Sequence, residues 1–194
     1  MLPFLHNQLQ QLQQLLEHSS IVLTKYNQFD LDLPESVIGF LDQAITIHKA
    51  LNLPKIENEM LLLKAQFVSA QHGTHPLTLE RINTHKRELI RAIALRLLQQ
   101  SSLQLRTAIE RAEDTLNEGR AQLRPIVLLA MQKGLITQNL SKEISQQQLD
   151  ELWRGLLNEP DLQLAARQIS MQLSPYDIQL LLAELINAAW QLKV

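Results

Sequence analysis

The stretch "LTLERINTHKRELIRAIALRLLQQSSLQLRTAIERAEDTLNE", Leu77 to Glu118, decides the fold class, because it contains neither glycine nor proline. Its apolar side chains recur at helical spacing. They are Ile82, Leu89, Ile93, Leu97, Leu105, Ala108, Ala112 and Leu116. The pattern predicts one helix of about 40 residues and about 60 Å, with Thr78 as its N-cap and a bend or break favoured at Ser101 and Ser102.

The pattern changes on the carboxyl-terminal side of this stretch, at Gly119 and Pro125. Proline lacks a backbone donor and disfavours helical conformation in the residue before it. We therefore expect a fresh or kinked helix over 125–133. Gly134 followed by Leu135 is typical of a glycine C-cap with its apolar contact.

Three further helices are predicted on the amino-terminal side. Apolar residues alternate in steps of four and three over 3–27, Pro34 precedes a helix over 35–51, and Pro54 precedes one over 55–71 that Gly73 ends. In the last third, Ser145 and Gln148 form a capping box before a helix that runs to about 157. Pro160 opens another helix to about 172, and Ser174, Pro175 and Asp177 start the last one.

Composition agrees with a helical protein. Apolar residues make up 45% of the 194, charged residues 20%, and there are five glycines and no cysteine. We expect an all-α, irregular bundle of about seven to eight helices around one long central helix. One domain over 1–194 is favoured, with a possible subdivision near 119–125 into 1–118 and 125–194. The amino terminus does not have the pattern of a signal peptide and no stretch is apolar enough to span a membrane, so a cytoplasmic location is expected.

The first helix carries a heptad seam. Its leucines are Leu9, Leu12, Leu16 and Leu23. The flanking positions are glutamines, which suits a helix packed against neighbours. The seam either lies in the core of the chain or joins two subunits, and a two-fold homodimer is the commonest symmetric solution. These leucines are the candidate interface with a protein partner or a second copy.

The middle third of the chain is its basic part. Residues 53–124 carry eleven basic and eight acidic side chains, whereas the net charge of the whole chain is −2. Arg81, Arg87 and Arg91 form a candidate ridge for a phosphate backbone, with Arg87 and Arg91 four residues apart on one helix face. Against nucleic acid stand the interrupting Glu80 and Glu88, and the ridge segment, 81–91, contains no Phe, Tyr or Trp that could stack on bases.

The segment "AMQKGLITQNLSKEISQQQLDELW", 130–153, has the outline of a helix-turn-helix. Gly134 falls too early for the turn of that motif. The second helix would place Asp150 and Glu151 against the phosphates, which disfavours DNA reading. Two capped helices joined by a connector are the better interpretation.

Signals for catalysis are weak. The sequence has no glycine-rich phosphate loop and no nucleophile elbow, and no cofactor or small-molecule substrate is indicated. His72, His75 and His85, with Glu88, could supply metal ligands, but a polar surface loop explains them better. The sequence thus predicts a non-enzymatic protein-protein interaction protein that self-associates. The alternative is a nucleic-acid-associated regulatory or replication protein that uses the basic ridge.

Overall fold

A computed structural model describes residues 2–74, 80–81, 86–137 and 144–191. The described residues form seven helices and no strand longer than an isolated bridge. The helices are α1 (Leu5–Asn27), α2 (Leu33–Ala50), α3 (Pro54–Gln71), α4 (Lys86–Gln132), α5 (Gln146–Asn158), α6 (Gln163–Ser170) and α7 (Pro175–Gln191). The expected all-α bundle with one long central helix is confirmed. The predicted N-cap Thr78 lies outside the described residues.

The chain divides into two compact units. The first unit comprises residues 9–110, and the second comprises residues 1–8 and 111–194. Both α1 and α4 contribute residues to each unit. The boundary within α4 falls at Glu110 and Arg111, upstream of the subdivision expected near 119–125.

Helix α4 is continuous through every position where the sequence suggests an interruption. A break at Ser101 and Ser102 and a fresh helix that begins at Pro125 are therefore wrong. Pro125 and Ala121, whose carbonyl loses its helical donor, are both on the exposed face, where water can take the place of that donor. Gly119 lies close to Leu173, so the end of the Leu173 side chain would have to move to accommodate a Cβ at position 119.

Most helix ends follow the sequence signals. The capping box of Ser145 and Gln148 is present at the start of α5. After α4, Gly134 has a φ of +74°, and Leu135 N–H donates to Ala130 O at 2.9 Å. This is a Schellman motif, so the predicted glycine C-cap is confirmed. Pro160 lies in a turn, and α6 starts only at Gln163.

The core of the first unit is made by the inward faces of α1, α2, α3 and the first half of α4. Its largest fully buried side chains are Leu12, Leu15, Leu33, Phe40, Leu41, Met60, Phe67, Leu98 and Leu105. In the second unit, α7 is buried over much of its circumference, with Ile178, Leu181, Leu182 and Ile186 at most 1% exposed. The described part of the chain contains no helix that is long and apolar enough to cross a membrane.

His48 is a buried titratable group in the core of the first unit. It is 1% exposed, and its Nδ1 donates to Ala44 O at 2.7 Å. Burial lowers the pKa of His48 below its ordinary value of 6.5, although the Ala44 hydrogen bond and the charge of Glu57 oppose the shift. The folded state thus holds a neutral imidazole.

We expect His48 to make the protein less stable in mild acid. Because its pKa is lower in the folded state, the unfolded chain takes up a proton first, and stability is lost as the pH falls through about 6.5. The slope contributed by this one site cannot exceed about 1.4 kcal/mol per pH unit. Urea unfolding of the wild type and His48→Gln at pH 7.5 and 5.5 measures it. A pH dependence of equal size in both proteins would contradict the prediction.

Candidate functional site

The predicted interface leucines do not share one environment. Leu12 is 0% exposed within the core of the first unit, and Leu9 and Leu16 are half-buried against that core. Leu23 is 37% exposed, so part of its side chain contacts solvent. The seam of α1 therefore belongs mainly to the core, and Leu23 is the member that a partner could reach.

A shallow groove runs beside Leu23, between α1 and α4 in the first unit. It has a volume of about 300 Å³, and its wall includes Leu103, which is 68% exposed. Ser19 Oγ and Ser102 Oγ lie 2.6 Å apart in the same wall and satisfy one another. A hydrogen bond between Ser19 and Ser102 thus joins α1 and α4. A continuous seam would have apolar contacts at these positions.

The basic ridge is only partly free. Arg87 and Arg81 are exposed, and Arg81 forms an isolated antiparallel bridge with Thr74. Arg91 is half-buried, and its guanidinium donates to Tyr26 O at 2.7 Å. The structure brings Arg87 and Arg91 onto the same helix, as predicted, but Arg91 is already engaged by its own chain.

Two aromatic rings stack on Arg91. Its guanidinium carbon lies 4.4 Å from the centre of the Tyr26 ring and 4.1 Å from the centre of the Phe29 ring, which is cation–π geometry. The expectation that the ridge lacks aromatic residues holds for the linear sequence. It is wrong for the folded structure, because the rings of Tyr26 and Phe29 contact Arg91. Tyr26 and Phe29 lie at the end of α1, more than sixty residues upstream, so no local pattern joins them to Arg91.

Phe29 has an unusual backbone conformation for so large a residue. Its φ is +57°, Phe29 N–H donates to Tyr26 O, and Asp30 N–H donates to Lys25 O. This is the Schellman motif again, with phenylalanine in the left-handed position. The corresponding positions after α2, α3 and α4 hold Asn52, Gly73 and Gly134, which are residue types that tolerate this conformation.

The turn that Phe29 begins is apolar and acidic. We call residues 28–32 the Phe29 turn. Phe29 is 75% exposed and Leu31 is 79% exposed. Asp30 and Asp32 alternate with them, and Asp30 Oδ1 accepts a hydrogen bond from Asp32 N–H at 2.9 Å. Two large apolar side chains therefore project from a turn whose backbone is fixed by hydrogen bonds, although a left-handed phenylalanine is costly by about 1–2 kcal/mol.

The second unit contains an apolar groove between α4 and α7, which we call the Arg124 groove. Its volume is about 340 Å³, and it is lined by Arg124, Val127, Leu128, Met131, Gln132, Leu185, Ala188 and Ala189. Leu128 is 50% exposed in its wall. Arg124 is exposed and forms no ion pair with any residue that the structure describes. The groove thus offers apolar walls and one available positive charge.

Asp177 is the most densely hydrogen-bonded carboxylate in the described part of the chain. It is 0% exposed, and it accepts hydrogen bonds at 3.0 Å from the backbone N–H groups of Leu5 and His6. His6 Nδ1 lies 2.7 Å from Asp177 Oδ1, and Ser174 Oγ donates to Oδ2 at 2.5 Å. Asp177 thereby caps the first turn of α1, and it does so from the first turn of α7 in the same unit.

These three side chains do not form a nucleophilic triad. Ser174 donates to the carboxylate rather than to the imidazole, and it is 5% exposed. A nucleophilic serine must donate to the histidine that acts as its base. The arrangement therefore serves as a structural cap.

The other sequence candidates receive less support. No group of three or more metal-binding side chains converges among the residues described, but His75 and His85 lie outside them. The capped helices of the helix-turn-helix outline are present. The connector at 138–143 lies outside the described residues.

Comparisons of the chain with protein-family models, with curated proteins and with solved structures give no match. The fold by itself defines the class: an all-α, multi-helix bundle with one long central helix. Among the described residues, the surfaces open to a ligand include the Phe29 turn, the Arg124 groove, the groove beside Leu23 and the exposed end of the basic ridge.

Proposed function

We propose that the protein is a non-enzymatic interaction protein that acts as an adaptor, regulator or assembly factor through its helical surfaces, and that it self-associates. The Arg124 groove is the observation that carries this proposal. A concave surface with apolar walls and a few polar groups is the usual form of a ligand site. Apolar side chains of a partner helix or turn fit such a groove, and the rim arginine would fix their orientation.

The groove leaves apolar surface in water, which supports the proposal. Leu128, which is 50% exposed, lies in its wall. A groove with exposed apolar walls and a polar rim is one form of protein-interaction site. Covering it would remove this area from water and favour association.

Leu128→Glu tests the proposal. A carboxylate in the groove wall should oppose insertion of apolar groups, whereas a half-exposed position should accept it without unfolding the chain. We expect the sedimentation coefficient of the wild type to rise with concentration and that of Leu128→Glu to remain at the monomer value. Leu164→Ser, at an 81% exposed leucine outside the groove, is the matched control. A wild type that stays monomeric at every concentration contradicts self-association.

A second candidate function, nucleic-acid association, is favoured by one specific observation. The ridge residues Arg81 and Arg87 are exposed, and Arg91 carries two aromatic rings of the kind that stack on bases. Titration of a labelled single-stranded oligonucleotide across a salt series tests it, because phosphate contacts must weaken steeply with salt. Arg81→Ala with Arg87→Ala should reduce affinity and flatten the salt slope. Absence of binding at low salt eliminates this candidate.

A further inference from the structure

We infer that the Phe29 turn of one copy docks in the Arg124 groove of a second copy. This inference rests on the proposed self-association and specifies its two surfaces. The first surface lies in the first unit and projects outward. The second lies in the other unit and is concave.

The Phe29 turn has the properties of a docking element. Its two apolar side chains are exposed more fully than almost any other large apolar residue of the described chain. The left-handed backbone at Phe29 would be relieved by glycine or asparagine, which occupy the same position after three other helices. Strain of this kind persists where a side chain is needed for a function. Stacking on Arg91 holds one side of the Phe29 ring and leaves Leu31 projecting beside it.

The charges of the two surfaces are complementary. Asp30 and Asp32 flank the apolar side chains of the turn, and the exposed Glu35 follows them. The positive charges beside the turn are already engaged within the chain: Arg91 donates to Tyr26 O and stacks on both rings, and Lys25 Nζ donates to Ser36 Oγ at 2.9 Å. In the groove, by contrast, the positive charge of Arg124 is available, since Arg124 is exposed and has no carboxylate partner among the described residues. A carboxylate of the turn can therefore pair with Arg124 while Phe29 or Leu31 contacts Leu128 and Met131.

The two surfaces are different parts of the chain, so each copy has one turn and one groove. Copies then associate through two reciprocal contacts in a two-fold dimer, or through one contact that is repeated in a ring or a longer assembly. Because the two surfaces are different, the inference is testable by complementation.

Two variants remove one surface each. Phe29→Gly with Leu31→Ser removes the apolar side chains of the turn and also relieves the left-handed strain, so this variant should fold at least as well as the wild type. Leu128→Glu blocks the groove, and Ala188→Glu, at an exposed position of the same groove, is the second blocking variant. Circular dichroism and thermal melting verify that all of them are folded.

Sedimentation equilibrium of the separate and mixed variants provides the decisive measurement. We expect each variant alone to be monomeric, with association weakened about 30-fold or more, as for a hot-spot residue. We expect an equimolar mixture of the turn variant and a groove variant to form a heterodimer of two chains and nothing larger, because one intact turn can meet one intact groove. Leu164→Ser should associate as the wild type does.

Each other outcome overturns a defined part of the argument. In one such outcome, the wild type and the turn variant associate but the groove variants do not. The Phe29 turn is then not the occupant of the groove, and the proposed self-association stands. If the mixture stays monomeric although both variants are folded, the turn of one copy does not dock in the groove of another. If the wild type is monomeric throughout, both proposals fail.

Discussion

Replacing Asp177 with alanine is expected to lower the free energy of unfolding by about 2–4 kcal/mol, because several partners lose one buried acceptor. The backbone N–H groups of Leu5 and His6 and the hydroxyl of Ser174 all donate to this carboxylate. The alanine side chain provides no other acceptor for any of these three donors. The first turn of α1 should then fray, because its orphan N–H groups no longer have a cap.

Two measurements separate this effect from a general loss of stability. Chemical unfolding at pH 7 gives the change in free energy, and hydrogen exchange gives the protection of the amides of residues 5–8. Asp161→Ala is the matched control: Asp161 is 66% exposed by side chain and pairs with Lys133, so its removal should cost less than about 1 kcal/mol. Asp177→Asn keeps the volume of the side chain, and its loss of unfolding free energy should lie between those of Asp177→Ala and Asp161→Ala. Equal unfolding midpoints for Asp177→Ala and wild type would show that the cap contributes nothing to stability.

The sequence identifies Asp177 only as part of a helix start. The order serine, proline and acidic residue at 174–177 predicts a first turn, and the structure confirms it. It gives no indication that the carboxylate reaches the amino-terminal residues, which lie more than 170 positions away in the sequence. Local signals such as caps and first-turn prolines act within four residues. A contact of this range depends on packing and has no signature in a single sequence.

The same distinction explains the other differences between the sequence interpretation and the structure. Glycine at 134 and the serine at 145 act on their own helix ends, and both were predictable. Continuity of α4 through Pro125 depends on the burial of Leu123, Ile126 and Val127 on the other face, which compensates for one missing hydrogen bond. A proline therefore weakens the prediction of a continuous helix without deciding it.

The candidate surfaces were the least predictable part. Arg91 is identified by its spacing from Arg87, but its aromatic partners come from the end of another helix. The Arg124 groove is formed by side chains of α4 and α7 that periodicity marks only as apolar. Periodicity assigns a residue to the apolar face of a helix. It does not indicate whether a neighbouring helix covers that face completely or leaves a groove.

The seam of α1 yields the second large prediction, in which two leucines of one helix respond differently to the same substitution. Leu12→Glu should unfold the first unit or destabilise it by about 4 kcal/mol or more, since it places an unpaired carboxylate in a packed apolar core. Leu12 is 0% exposed and belongs to the core cluster. Leu23→Glu should cost about 1 kcal/mol or less, because the carboxylate at a 37% exposed position can reach water.

Thermal unfolding followed by circular dichroism distinguishes the two variants, and sedimentation then shows whether Leu23 contacts a partner. A folded, stable Leu12→Glu monomer would mean that the seam is not core and that this leucine belongs to an interface after all. If Leu23→Glu keeps its melting temperature but reduces self-association, the groove beside α1 contributes to assembly together with the Arg124 groove. If it leaves both unchanged, none of the four seam leucines joins subunits, because Leu12 is inaccessible and Leu9 and Leu16 pack against the core of their own chain.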